Sequence, residues 1–180
     1  MTQRPDPRDR THHPVGHLDL VVVRRWGIGN EQTDYNGTAT NTLLQSLADI
    51  VASEDPDRLS TYAVRGEDPD NAQSGLHTHA TGFNKYYGWY YGSADGDLGA
   101  WADNLHTTSP SHRIAMSEYG AGANTTQHAL NPPKPSPGGS WHPEEYQSLF
   151  HEAAWKQLAA RPYIMGLVRL GHVRLRLRRP

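Results

Sequence analysis

Two stretches of the chain bring a carboxylate out of an apolar run: Trp26-Gly27-Ile28-Gly29-Asn30-Glu31 and Met116-Ser117-Glu118-Tyr119-Gly120. In the first, Asn30 stands beside Glu31; in the second, Ser117 and Tyr119 flank Glu118. Two carboxylates brought together from different strand ends can divide acid and nucleophile between them. One protonates a leaving oxygen, and the other attacks the anomeric carbon of a sugar or activates water. Asn30 is then placed to bind a sugar 2-hydroxyl, and Tyr86 or Tyr87 to hold a carboxylate ionised. The ordinary reading of each Glu, a solvated loop or a carboxylate at a helix N-terminus, stays open on pattern alone.

The elements that would carry these residues alternate. The apolar run Leu18 to Val23, continuing to Gly29, reads as a buried strand. Leu43, Leu44, Leu47, Ile50 and Val51 give a helix over Thr38 to Ser53, stopped by Asp55-Pro56. Arg58 to Ala63 reads as a strand, Val64 to Ser74 as a polar loop and the aromatic stretch Gly82 to Tyr90 as a third strand. Leu98 to His106 is a second helix with Trp101 on its apolar face, and Ser111 to Ser117 a fourth strand. A long Pro- and Gly-rich loop, Ala121 to Ser140, leads to a helix with Pro143 as its first residue, followed by a strand from Tyr163. Strand and helix in alternation predict a parallel α/β fold, either an open doubly wound sheet or a piece of a (β/α)8 barrel. No dinucleotide or phosphate-binding glycine motif lies between a strand and a helix.

Composition narrows the classes. The chain has 180 residues, 17 Lys and Arg against 19 Asp and Glu, a formal net charge of -2 and no cysteine. It lacks the basic field that nucleic acid or anionic lipid attracts, so neither is expected as a partner. Thiol nucleophiles, disulfides and cysteine-ligated metals are excluded. No run of about 18 apolar residues exists, and Met1 to Arg10 is polar, so a soluble chain without a signal peptide is expected. Of the eleven histidines, the pair His77-x-His79 could face the same way on a strand. It lacks a third ligand nearby, so no metal is expected. Trp89, Trp101, Trp141 and Trp155 are candidate sugar-stacking rings. Trp101 and Trp155, on helices, are expected in the core, leaving Trp141 as the better subsite candidate.

Three motifs in order, Trp26 to Glu31, Asn84-Lys85-Tyr86-Tyr87-Gly88-Trp89-Tyr90 and Ser117-Glu118-Tyr119-Gly120-Ala121-Gly122-Ala123, resemble the catalytic barrel of glycoside hydrolase family 2, the β-galactosidases and β-glucuronidases. The resemblance extends over Thr126 to Pro135 and Trp141 to Phe150. It implies a partial (β/α)8 TIM barrel, strands four to eight, with residues 26–164 belonging to the barrel and residues 1–25 unmatched. It also implies Glu31 as general acid/base, Glu118 as nucleophile, Asn30 on the 2-hydroxyl, Tyr86 on the nucleophile and Asn84 in the pocket. The expected activity is retaining hydrolysis of terminal β-galactosides, with β-glucuronides or an inactive, weakly sugar-binding remnant as alternatives. A carbohydrate is the expected partner, and no cofactor is implied. His79 replaces the Asp that relatives tend to carry there.

Residues 165–180 read MGLVRLGHVRLRLRRP, a basic tail where the family's eighth strand is expected. One choice of codons for this tail, read from the second base, spells W-G-S-F-V-W-A-M-F-D-F, the missing strand. A shift of reading frame near Ile164 is therefore compatible with the aberrant C-terminal strand.

Overall fold

The computed structural model describes residues 25–165. The strand expected over Leu18 to Val23 and the basic tail beyond Met165 lie outside the described residues. Four strands, β1 (Arg25–Asn30), β2 (Leu59–Val64), β3 (Ala80–Asn84) and β4 (Ile114–Glu118), form one sheet in the order β1-β2-β3-β4, every pair parallel. Helix α1 (Thr38–Glu54) joins β1 to β2, α2 (Asp97–Thr108) joins β3 to β4, and α3 (Glu144–Ala159) follows β4. The β2 to β3 connection holds only a 3-10 turn, Gln73–His77. Each strand lies beside its predecessor with no reversal of order. That arrangement fits a barrel segment, whereas an open doubly wound sheet reverses its strand order at a switch point.

The two inner strands are the more deeply buried. All five residues of β3 are buried, and Tyr62, Val64, Phe83, Ile114 and Met116 are at most 1% exposed. Phe83 meets Trp101 of α2 edge to face at 5.2 Å. α3 contributes Tyr146, Phe150, Ala154 and Leu158, a stripe at i, i+4, i+8 and i+12 that stacks on one face of a helix. Trp155, about 100° around the helix from Ala154, is 54% exposed, so the expectation that it joins the core is corrected. α1 likewise buries only Leu44 and Ala48, and leaves Leu43 and Ile50 exposed.

Several boundaries differ from those expected; β4, for one, begins at Ile114 and not at Ser111. The third strand ends at Asn84, and the aromatic stretch beyond it turns. Gly88 adopts φ +92°, where a Cβ would strike Ala94, and its N–H donates to the Tyr91 carbonyl. Pro143 caps α3 from an extended conformation and precedes its first residue. No strand forms over Tyr163–Met165; the Met165 N–H donates to the Ile114 carbonyl at 2.8 Å. Among the described residues no helix is long and apolar enough to cross a membrane.

Candidate active site

Because the strands are parallel, their carboxyl ends gather at one edge of the sheet, the usual location of sites in this architecture. β1 delivers Asn30 and Glu31 there, β3 delivers Asn84 and Tyr86, and β4 delivers Glu118. Two register irregularities shape these ends. Gly27 pairs with Thr61 but Asn30 with Ala63, so β1 carries an extra residue just before the Asn-Glu pair. Phe83 pairs with Met116 but Asn84 with Glu118, so Ser117 is the extra residue of β4. Bulges of this kind break the two-residue alternation and re-aim side chains beside sites.

Glu31 leaves the sheet in a left-handed conformation, φ +52°, which costs a non-glycine residue about 1–2 kcal/mol. Its N–H donates to the Ala63 carbonyl at 2.9 Å, and the next N–H, of Gln32, donates to the Tyr62 hydroxyl at 2.9 Å. The strained backbone is therefore anchored on both sides of the carboxylate. Backbone strain fixed in this way clusters at functional positions.

The side chains form one network. The fully buried Asn84 amide donates to Glu31 Oε1 at 2.8 Å and to Asn30 Oδ1 at 3.3 Å, and its carbonyl accepts from Ser117 Oγ at 2.6 Å. The Tyr86 hydroxyl donates to Glu118 Oε2. Burial, this hydrogen bond and the nearby charges of Glu118 and Glu31 push the Tyr86 phenol far above its ordinary value, so it remains a proton donor at any working pH. Tyr87 packs edge to face on Tyr91 at 4.8 Å, so of the two tyrosines it is Tyr86 that reaches a carboxylate.

A cavity of about 510 Å³ opens beside the network, walled by Glu31, Arg65, Glu67, Tyr86, Tyr90 and Tyr91. Arg65, just past β2, donates from Nη2 to Asp68 at 2.7 Å and lies 3.5 Å from Glu67. The hydrogen bond it donates to Asp68 and that carboxylate's charge hold the guanidinium above its ordinary value. Below it, Lys85, between Asn84 and Tyr86 and almost fully buried, pairs with Asp70 at 2.9 Å and donates to the Gly66 carbonyl at 3.1 Å. The sequence assigned no role to Arg65, Lys85 or Ser117. The only signal was adjacency: Arg65 follows a predicted strand, and the other two neighbour predicted site residues.

Trp141 is 49% exposed and does not line this cavity; Trp89, 6% exposed, packs edge to face on His142. A larger cleft of about 700 Å³ lies away from both glutamates, near the amino ends of the strands, with His77, His79 and His112 in its wall. His77 is bonded to Asn41 and Gln45 of α1, and His79 Nδ1 accepts from the Ser60 N–H at 3.1 Å.

Parallel strands in sequential order, with paired carboxylates held at their carboxyl ends, fit an α/β fragment of a TIM-barrel-like glycosidase. No family model matches the chain. It is 34% identical over 152 residues, 83% of its length, to a β-glucuronidase of Bacteroides fragilis, of which it covers 21%. A solved Bacteroides fragilis protein assigned as a β-galactosidase aligns at TM-score 0.70 and 29% identity, over 79% of this chain and 21% of that one. β-Glucuronidase 2 of Bacteroides uniformis, solved covalently bound to cyclophellitol-6-carboxylate aziridine, aligns at TM-score 0.64 and 30% identity, over 80% of this chain and 18% of that one. The chain is similar to these bacterial β-galactosidases and β-glucuronidases over about four fifths of its own length, and spans about a fifth of the length of the relatives it matches.

Proposed function

We propose that the chain carries the catalytic carboxylates of a retaining exo-glycosidase of glycoside hydrolase family 2, acting on terminal β-galactosides. Glu118 is the nucleophile and Glu31 the acid/base. The observation that carries this is the separate treatment of the two carboxylates. A phenol that stays protonated donates to Glu118, and a buried amide donates to Glu31. Glu118 attacks the anomeric carbon as the glycosidic C–O bond breaks, and the Glu31 carboxyl gives its proton to the departing oxygen. Glu31, now a carboxylate, takes a proton from water, which attacks the glycosyl ester and releases Glu118. Asn30 accepts from Asn84 through Oδ1, which leaves its N–H2 as the donor to the sugar 2-hydroxyl.

A β-glucuronide is the second reading. It is favoured by the 34% identity to a β-glucuronidase and by the relative captured covalently with a carboxylate-bearing inhibitor. Release of nitrophenolate from 4-nitrophenyl β-galactoside and β-glucuronide by the purified chain tests both. Turnover of the galactoside, with the β-anomer formed first by NMR and a loss of about 10³-fold or more in Glu118→Gln, is expected. Preference for the glucuronide selects the second reading. No release by a chain shown to be folded makes it the inactive remnant.

A further inference from the structure

We propose that Ser117 is a positioning residue for Glu31 and acts through Asn84; the role rests on Glu31 being the acid/base. A carboxamide turned end for end has almost the same shape, so shape alone does not decide whether Asn84 offers Glu31 its N–H2 or its carbonyl. A Glu31 carboxylate can only accept and so calls for the N–H2, and the Ser117 hydroxyl holds the other end of the amide. It donates to Asn84 Oδ1 at 2.6 Å, so that Nδ2 faces Glu31 Oε1 at 2.8 Å. Two features of the fold put the hydroxyl there. Ser117 is the extra residue of β4 between the Met116 and Glu118 register positions. Gly82 on the neighbouring strand leaves it room, since a Cβ at that position would lie 2.8 Å from Ser117 Oγ and 2.9 Å from its Cβ.

Asn84 is 0% exposed. Without the hydroxyl its carbonyl becomes a buried acceptor with no donor, a state that costs free energy until the amide rotates or draws in water. Either response loosens the N–H that holds Glu31. An acid/base group must meet the leaving oxygen in one step and a water in the next, so its orientation affects the rate wherever proton transfer is needed. Ser117 adjoins the nucleophile in sequence, yet its hydrogen bond leads to the acid/base.

The test compares Ser117→Ala with Ser117→Thr, which keeps the hydroxyl. For kcat/KM, Ser117→Ala is expected to lose about tenfold or more with an alkyl glycoside, whose departing oxygen needs a proton. With a 2,4-dinitrophenyl glycoside, whose leaving group needs none, the loss should stay within about threefold. Ser117→Thr should restore the alkyl substrate. An equal loss on both substrates overturns the proposal, because a general structural lesion acts that way. A second readout does not depend on turnover. Hydrogen exchange of the Asn84 side-chain amide, followed by 1H–15N NMR, should quicken about tenfold or more in Ser117→Ala and stay slow in Ser117→Thr. Unchanged exchange in Ser117→Ala overturns the proposal. No turnover by the folded wild-type chain counts against the proposed function alone, and the exchange measurement then decides the role of Ser117.

Discussion

Replacing Asp70 by Asn should destabilise the fold more than replacing its partner Lys85 by Met, although both changes break the same ion pair. The Lys85 side chain is 6% exposed and that of Asp70 31%. Lys85 Nζ has the Asp70 carboxylate at 2.9 Å, the Gly66 carbonyl at 3.1 Å and the rings of Trp101 and Phe83 at 5.1 and 5.9 Å. Asp70→Asn removes the only full negative charge among these contacts and leaves an ammonium in the interior. Stranding one member of a buried pair costs about 3–5 kcal/mol, and the partial solvation of Asp70 argues for about 3. Lys85→Met removes the charge that is costly to bury and puts a flexible apolar chain between two aromatic rings. Asp70 then keeps water and the Trp101 indole N–H at 2.8 Å, so the loss should be about 1 kcal/mol. The double variant should resemble Lys85→Met alone, which gives a coupling of about 3 kcal/mol. Urea unfolding followed by tryptophan fluorescence measures all four proteins. Equal losses in the two single variants, or a greater loss in Lys85→Met, would refute the assignment of Lys85 as the costly partner. The pair matters to the site because Lys85 lies between Asn84 and Tyr86 and pins the loop after β2 to that strand end.

Two further outcomes are expected. Tyr86→Phe removes the donor to Glu118 with little change in shape, so its urea midpoint should stay close to wild type while kcat on an aryl glycoside falls about tenfold or more; an unchanged kcat would remove Tyr86 from the mechanism. Tyr163 is pushed up to about 12 by burial and by its hydrogen bond to Asp103, which Arg161 also holds. A folded-state value above the unfolded one, about 10, means that the stability Tyr163 contributes is complete below pH 10 and is lost as pH rises through 12. The urea midpoint should fall over that window more steeply for wild type than for Tyr163→Phe, and parallel curves would contradict the cluster.

What the sequence made legible follows from which interactions are local. Helices α1, α2 and α3 announced themselves through apolar spacing, and α3 also through its proline and acidic start, because a helix's hydrogen bonds close within one turn. The glutamate positions were legible for a similar reason, since strand ends are marked by glycine and polar residues. The third strand was misjudged because Tyr86, Tyr87 and Trp89 have high strand propensity, while Gly88 and Gly92, at positive φ, turn the chain back. Trp155 was misplaced because one position along a helix moves a side chain about 100° around it, and composition does not say which neighbour faces the sheet. The Ser117 to Asn84 bond was not legible at all. It depends on a one-residue insertion in the β3 to β4 register, and that emerges only when two strands 30 residues apart are paired.

A glycosyl ester on Glu118 can be observed directly. The purified chain is incubated with 2,4-dinitrophenyl 2-deoxy-2-fluoro glycosides of galactose and glucuronic acid, then digested and analysed by mass spectrometry. One fluorosugar per chain is expected, carried by the peptide containing Glu118 and absent in Glu118→Gln. A sugar on any other residue, or no adduct from a chain shown to be folded, would contradict Glu118 as the nucleophile.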